Sequence, residues 1–160
     1  MIEYRTIDSP IGSLTLAGHG TVLTNLRMVD QTHEPSRAGW SPAPRAFGHA
    51  VEQIRAYFAG ELVEFDLDLD LRGSEFQQRV WQALLTIPYA ETRSYGQIAA
   101  QIGAPGAARA VGLANGRNPI AIVVPCHRVI GAGGSLTGYG GGLERKRGLL
   151  ELEKGGRRRM

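Results

Sequence analysis

A change of hydrophobic period near Arg72-Gly73 divides this chain of 160 residues into two parts that call for different architectures. The first part alternates. Ile2 to Ile7, Ser13 to Ala17 and Thr21 to Met28 read as short strands, with turns at Ser9-Pro10-Ile11-Gly12 and Gly18-His19-Gly20, which predicts an antiparallel meander. Residues 31 to 44, rich in Pro, Ser and Gly, read as loop. Phe47, Ala50, Val51, Ile54, Tyr57 and Phe58 then recur at helical spacing up to Gly60, as expected of a helix packed on the sheet. Phe65, Leu67, Leu69 and Leu71 alternate with Asp66, Asp68 and Asp70, a strand-like pattern whose aspartates form a solvated face rather than a metal site.

Beyond Gly73 the period becomes helical. Ser74 with Gln77 and Ser94 with Gln97 are capping-box patterns, each opening a helix: one through Phe76, Val80, Leu84 and Ile87 to Pro88, the other through Ile98 and Ile102 to Gly103. A further short helix is predicted from about Pro105 to about Asn115, and the last two resemble a helix-turn-helix. That helix carries small side chains, which suits either tight packing or close approach to a partner; Arg109 is its one long cation. It lacks the polar residues of a major-groove reader, so a sequence-independent or minor-groove contact fits it better. The glycine-rich stretch Gly131 to Gly142 has no phosphate-loop spacing, and close backbone approach around a pocket suits it better. From Leu143 a last helix turns Leu149, Leu150 and Leu152 inward, and the Arg145-Lys146-Arg147 cluster reads as solvated.

Charge divides at the same place. Residues 1 to 70 carry a net −5 and residues 71 to 160 a net +8, still +5 without Arg157-Arg158-Arg159, which points the second part toward a polyanion such as nucleic acid. No apolar run is long enough to span a bilayer, and the first residues do not form a secretion signal; with a single cysteine this leads to a cytoplasmic, reducing setting. That cysteine lies in Pro125-Cys126-His127-Arg128-Val129, where the proline turns the chain after the apolar run Ile120 to Val124. A thiol beside an imidazole is either a nucleophile or a small core residue, and the dipeptide alone leaves both open. His19, His33, His49 and His127 are scattered, with no H-E-x-x-H or C-x-x-C, so no metal site is expected.

Taken in order, Phe76-Gln77-Gln78-Arg79-Val80-Trp81, Ser94-Tyr95-Gly96-Gln97-Ile98-Ala99, Ala107-Ala108-Arg109-Ala110-Val111-Gly112, Asn118-Pro119, Pro125-Cys126-His127-Arg128-Val129 and Gly138-Tyr139-Gly140-Gly141-Gly142-Leu143 resemble the O6-alkylguanine-DNA alkyltransferases, over about Phe76 to Glu153. The resemblance implies an α+β fold: a small N-terminal RNase H-like α/β domain (1–72) and a mainly helical C-terminal DNA-binding and alkyltransferase domain with a helix-turn-helix (73–154), while the run Arg157-Arg158-Arg159 reads 155–160 as a basic disordered tail. It also implies roles. Cys126 takes the alkyl group once and irreversibly, His127 generates the thiolate through a water, and Glu153 orients the imidazole. Tyr95 donates near N3 of the departing guanine, and Asn118 ties the recognition helix to the active-site turn. Arg109, Tyr95, Ala108 and Gly112 contact DNA through the minor groove, with Arg109 filling the stack left by the flipped base. Val129, Tyr139, Gly140 and Trp81 line the base pocket.

The implied partner is double-stranded DNA carrying O6-alkylguanine, with no cofactor, no metal, no membrane and no obligate protein partner; cooperative assembly on DNA stays open. The cysteines that bind zinc in some members are missing from the N-terminal part, and Cys126 stands where lesion-binding members carry tryptophan. The alternatives are a non-catalytic helix-turn-helix module that binds DNA lesions and, from the Cys-His pair, a cysteine hydrolase.

Overall fold

A computed structural model describes residues 1–136 and 139–159, with side chains described as far as residue 155. In the N-terminal part β1 (Glu3–Ile7) pairs antiparallel with β2 (Leu14–His19), and β2 with β3 (Val22–Met28). Leu14 and Leu16, two apart and so on one face, are fully buried with Leu23 and Leu26. They share a core with Ala50, Val51, Ile54 and Tyr57, the buried stripe of α1 (Gly48–Phe58). The β2–β3 register shifts at Ala17/Gly18, where a Cβ on Gly18 would lie 1.9 Å from the Val22 carbonyl oxygen, so the bulge admits only glycine.

The stretch read as loop contributes a strand that sequence reasoning missed. β4 (Ser41–Pro42) runs parallel to β1 at the sheet edge, the order being β3-β2-β1-β4. A proline fits there because the donors are the N–H groups on either side of it, Ser41 to Ile2 O at 2.9 Å and Ala43 to Tyr4 O at 2.8 Å.

The opposite edge, β3, organises the rest of the molecule. Leu23 N donates to Asp68 O at 3.0 Å and accepts at its own carbonyl from Asp70 N at 2.8 Å; three residues on, Leu26 does the same with Pro119 O at 2.9 Å and Ala121 N at 3.0 Å. The alternating segment 65–71 is therefore extended but bridges the sheet only at Leu69, not as the full strand its period suggests. The apolar run that leads to Cys126 hangs from the same strand.

The C-terminal part is built on α2 (Glu75–Leu84), α3 (Tyr95–Gln101) and α4 (Ala108–Gly116). Both capping boxes form, Ser74 with Gln77 and Ser94 with Gln97. α4 starts three residues later than predicted, because Pro105 and Gly106 lie in a turn before it. β5 (Arg93–Ser94) pairs parallel with β6 (Val129–Ile130), and α5 (Leu143–Arg159) closes the chain. The helix extends as far as Arg159. Among the described residues no helix is long and apolar enough to cross a membrane, and no group of three or more His, Cys, Asp or Glu is placed to hold a metal ion.

Candidate active site

Cys126–Arg128 form a single 3-10 turn directly after Pro125, buried on all sides. The chain enters it under strain. Ile122 has φ +73°, a left-handed conformation that a β-branched residue rarely adopts, and it is flanked by the Leu26 bridge to Ile120 before it and the Asn118 bond to Val124 O after it. α4 and the loop after it then fix the turn from below. Asn115 Nδ2 donates to the Cys126 carbonyl at 3.2 Å, and Asn118 Nδ2 reaches both Val124 O at 2.8 Å and Cys126 Sγ at 3.0 Å.

Cys126 is 4% exposed. Burial pushes the thiol pKa up, against an N–H donor from Asn118, the cation of Lys146 and a hydrogen bond with Tyr139. The resting group is therefore a protonated thiol ringed by groups that stabilise its anion. Lys146 is fully buried, its Nζ 2.5 Å from Val129 O and 5.9 Å from the Tyr95 ring centre. Burial lowers its pKa to about 8, with the sulfur pulling the other way. This corrects the solvated reading of the Arg145-Lys146-Arg147 cluster: Lys146 shares the inward stripe of α5 with Leu149 and Glu153. Arg145 spans to the N-terminal part, donating to Ile11 O at 3.1 Å and Val29 O at 2.5 Å.

Glu153 is the hub of a second cluster, fully buried behind the thiol. Its Oε2 accepts from His127 Nε2 at 2.6 Å, Tyr57 Oη at 2.6 Å and an Arg128 guanidinium nitrogen at 3.1 Å; its Oε1 accepts from Arg128 Nε at 2.9 Å and Ala90 N at 3.2 Å. Burial alone would raise this carboxyl, but the hydrogen bonds and charges of His127 and Arg128 outweigh it and hold the pKa at about 2. A carboxylate that acidic has no proton to donate, so Nε2 of His127 carries the hydrogen. Burial lowers the His127 pKa despite Glu153, which leaves the ring neutral and Nδ1 with a free lone pair. Among the described residues Nδ1 has no hydrogen-bond partner.

This cluster sets an acid limit. A carboxyl at about 2 in the fold and near 4.5 unfolded contributes stability that is fully present above the unfolded pKa and lost as pH falls through the folded one. His127, lowered in the fold, adds loss in the same direction below its ordinary 6.5. Urea midpoints are expected to fall steeply below about pH 4.5, with Glu153 contributing about 3 kcal/mol; a midpoint level down to about pH 3 would contradict this.

The chain's similarity to known proteins covers nearly all of it. Residues 75–155 match the family model for the DNA binding domain of 6-O-methylguanine DNA methyltransferase, and residues 2–71 match the model for its ribonuclease-like domain. The chain belongs to the 6-O-methylguanine DNA methyltransferase family. The methylated-DNA–protein-cysteine methyltransferase of Mycobacterium tuberculosis is 79% identical over 154 residues, covering 96% of this chain and 93% of the relative. That of Methanosarcina acetivorans is 53% identical over 152 residues, covering 94% and 97%. The solved structure of M. tuberculosis OGT in complex with DNA superposes with TM-score 0.95 at 78% identity, over 96% of this chain and 94% of that one. The α+β architecture, with its ribonuclease-like part and helical DNA-binding part, is that of the family.

Within this family frame the other expected site residues separate into three groups. Arg109 and Ala110 are exposed on α4 beside Leu113, which is 70% exposed, while Val111, Ala114 and Asn115 face the core. Ala108 is half-buried at the first turn, and a Cβ on Gly112 would lie 3.8 Å from the Tyr95 ring. Tyr95 thus sits between α4 and Lys146. Val129 is fully buried in β6, and the Tyr139 hydroxyl lies 3.9 Å from Met28 Sδ and is electrostatically coupled to Cys126. Gly140 packs on the N-terminal part: its carbonyl accepts from Thr32 N at 3.1 Å, and a Cβ there would meet Thr32 Oγ1 at 2.8 Å. Trp81 packs in the core beneath α4. It is 1% exposed and donates from Nε1 to Ala114 O at 2.9 Å, which makes it a core support of α4. Gly138 lies outside the described residues.

Proposed function

We propose that this protein repairs O6-alkylguanine in double-stranded DNA by moving the alkyl group irreversibly onto Sγ of Cys126. The observation that carries the reading is the thiol itself: a single buried cysteine with anion-stabilising donors on one side and a neutral histidine, held by a carboxylate, on the other. The thiol proton passes to Nδ1 of His127 through a water, the S–C bond forms as the C–O6 bond breaks, and guanine leaves as an anion that accepts a hydrogen bond at N3 from Tyr95. A thioether sulfur is a very poor leaving group, so each molecule acts once. Val129 and Tyr139 border the base, and Ala108, Gly112 and Arg109 bring α4 against the minor groove. The free cysteine suits the reducing cytoplasm.

A duplex with a labelled O6-methyl group tests this. One label per molecule, ending on Cys126, is the expected result; turnover beyond one label would indicate a hydrolase, and binding without transfer a lesion-binding module.

Base extrusion gives Arg109 a separable effect. A flipped base leaves an unstacked gap, at a cost of a few kcal/mol. Arg109→Ala is expected to slow transfer from duplex DNA at least about tenfold and transfer from a free O6-alkylguanine less than about twofold. Equal losses on the two substrates would refute the stack-filling role.

A further inference from the structure

We infer that Tyr57, a residue of the N-terminal helix α1, is a positioning residue for alkyl transfer, because its hydroxyl competes with His127 for the same oxygen of Glu153. The inference rests on the reading of His127 as the base. Tyr57 is fully buried, and its ring is fixed by edge contact with Phe58 at 5.3 Å and by Phe65 at 5.4 Å. Its Oη stands 2.6 Å from Oε2, the same distance as Nε2 of His127, and Arg128 adds a third donor at 3.1 Å. A carboxylate oxygen offers about two lone-pair directions. Three donors on one oxygen therefore share its charge, and what Tyr57 draws off is unavailable to His127.

The consequence has a definite sign. The anion of Glu153 stabilises the protonated imidazole, so a donor that takes charge from Oε2 favours the neutral ring able to accept the thiol proton. The other charged or titratable groups facing this cluster are Arg128 on the turn, Lys146 on α5, Tyr89 after α2, and Cys126 with Tyr139 across the site. Arg128 and Lys146 also oppose protonation of His127. Tyr57 is the contributor that comes from the N-terminal part, and through it that part bears on the chemistry of the other half. A buried tyrosine needs only some acceptor; the choice of the His127 acceptor oxygen is what carries the inference.

Tyr57→Phe keeps the ring and removes the donor. The single-turnover rate of label transfer from saturating O6-methylguanine duplex is to be measured from about pH 5.5 to about pH 9. The acid limb of Tyr57→Phe is expected to move up by about half a unit or more, a threefold or greater fall in rate along that limb. Site-specific replacement of Tyr57 by ortho-fluorotyrosine, a stronger donor of the same shape, is expected to move the limb down. Phe58→Leu, which loosens the packing without touching Glu153, should leave its midpoint in place. If the limbs of both Tyr57 variants coincide with that of the parent, or Phe58→Leu shifts equally, the inference is overturned. Should Tyr57→Phe fail to fold, the fluorotyrosine protein decides alone. A parent protein that transfers no label would sink the repair reading instead.

Discussion

Cys126→Ala is expected to transfer no label from an O6-methylguanine duplex, while its affinity for that duplex stays within about twofold of the parent. The chain has no second cysteine, so no other sulfur can take over. Binding survives because the contacts that hold the turn do not need the sulfur: Asn118 keeps its bond to Val124 O and Asn115 its bond to the Cys126 carbonyl. The exposed side of α4, with Arg109, lies on the opposite face of that helix from Asn115. Removing one buried sulfur costs about 1 kcal/mol of stability at a site so tightly enclosed. Label appearing on the alanine variant would mean another nucleophile and would end the present assignment; loss of DNA binding together with transfer would mean that the turn, not the thiol, had been lost.

The raised thiol pKa bears on how such a reagent is stored. A permanent thiolate would react with any soft electrophile, whereas here burial keeps the sulfur protonated until a base sits beside it. Asn118, Lys146 and Tyr139 are placed to stabilise the anion that forms when the proton leaves. The division of labour is spatial: α4 and its loop serve the sulfur, α5 supplies Lys146 and Glu153, and α1 reaches in with Tyr57. Each of these elements enters the buried cluster around Cys126.

Much of this frame is legible in the residues. Two Ser-x-x-Gln patterns fixed both helix starts because a capping box satisfies its own backbone donors and needs no tertiary partner. Alternation located β1 to β3 for the same local reason. What stayed hidden depends on distant partners. β4 has two residues, one of them a proline, and only the neighbouring β1 makes it a strand. Lys146 was concealed within a run of three cations; its spacing to Leu149 and Glu153, three and seven residues on, was the available signal that it faces inward. Arg128 sits in the cysteine motif itself, but nothing local says that it forks onto Glu153 rather than into solvent. Tyr57 looked like one more apolar member of an α1 stripe, and its acceptor lies 96 residues away. The bond of the Trp81 indole to Ala114 O was equally hidden, since its acceptor lies 33 residues away.

Glu153→Gln should lose both stability and chemistry, in amounts that separate the two roles. Five donors converge on this carboxylate, two of them from a guanidinium that is itself buried. An amide of the same size offers one acceptor oxygen, and on the Oε1 side its NH2 would face Arg128 Nε and Ala90 N, neither of which can accept. Arg128 is left as a buried cation without its counter-charge, and breaking a buried pair in this way costs about 3 to 5 kcal/mol. The same change releases His127. Without the anion at Nε2 the ring loses the partner that fixes its tautomer, and Nδ1 is no longer held as the free acceptor. Transfer is expected to slow by about 10² to 10⁴, the range of a positioned general base, under conditions where the variant is still folded. The steep acid limb of stability should flatten in this variant because the group that titrates there is gone. If Glu153→Gln unfolds more readily yet transfers at the parent rate when folded, the cluster is a structural rivet and His127 is not the base.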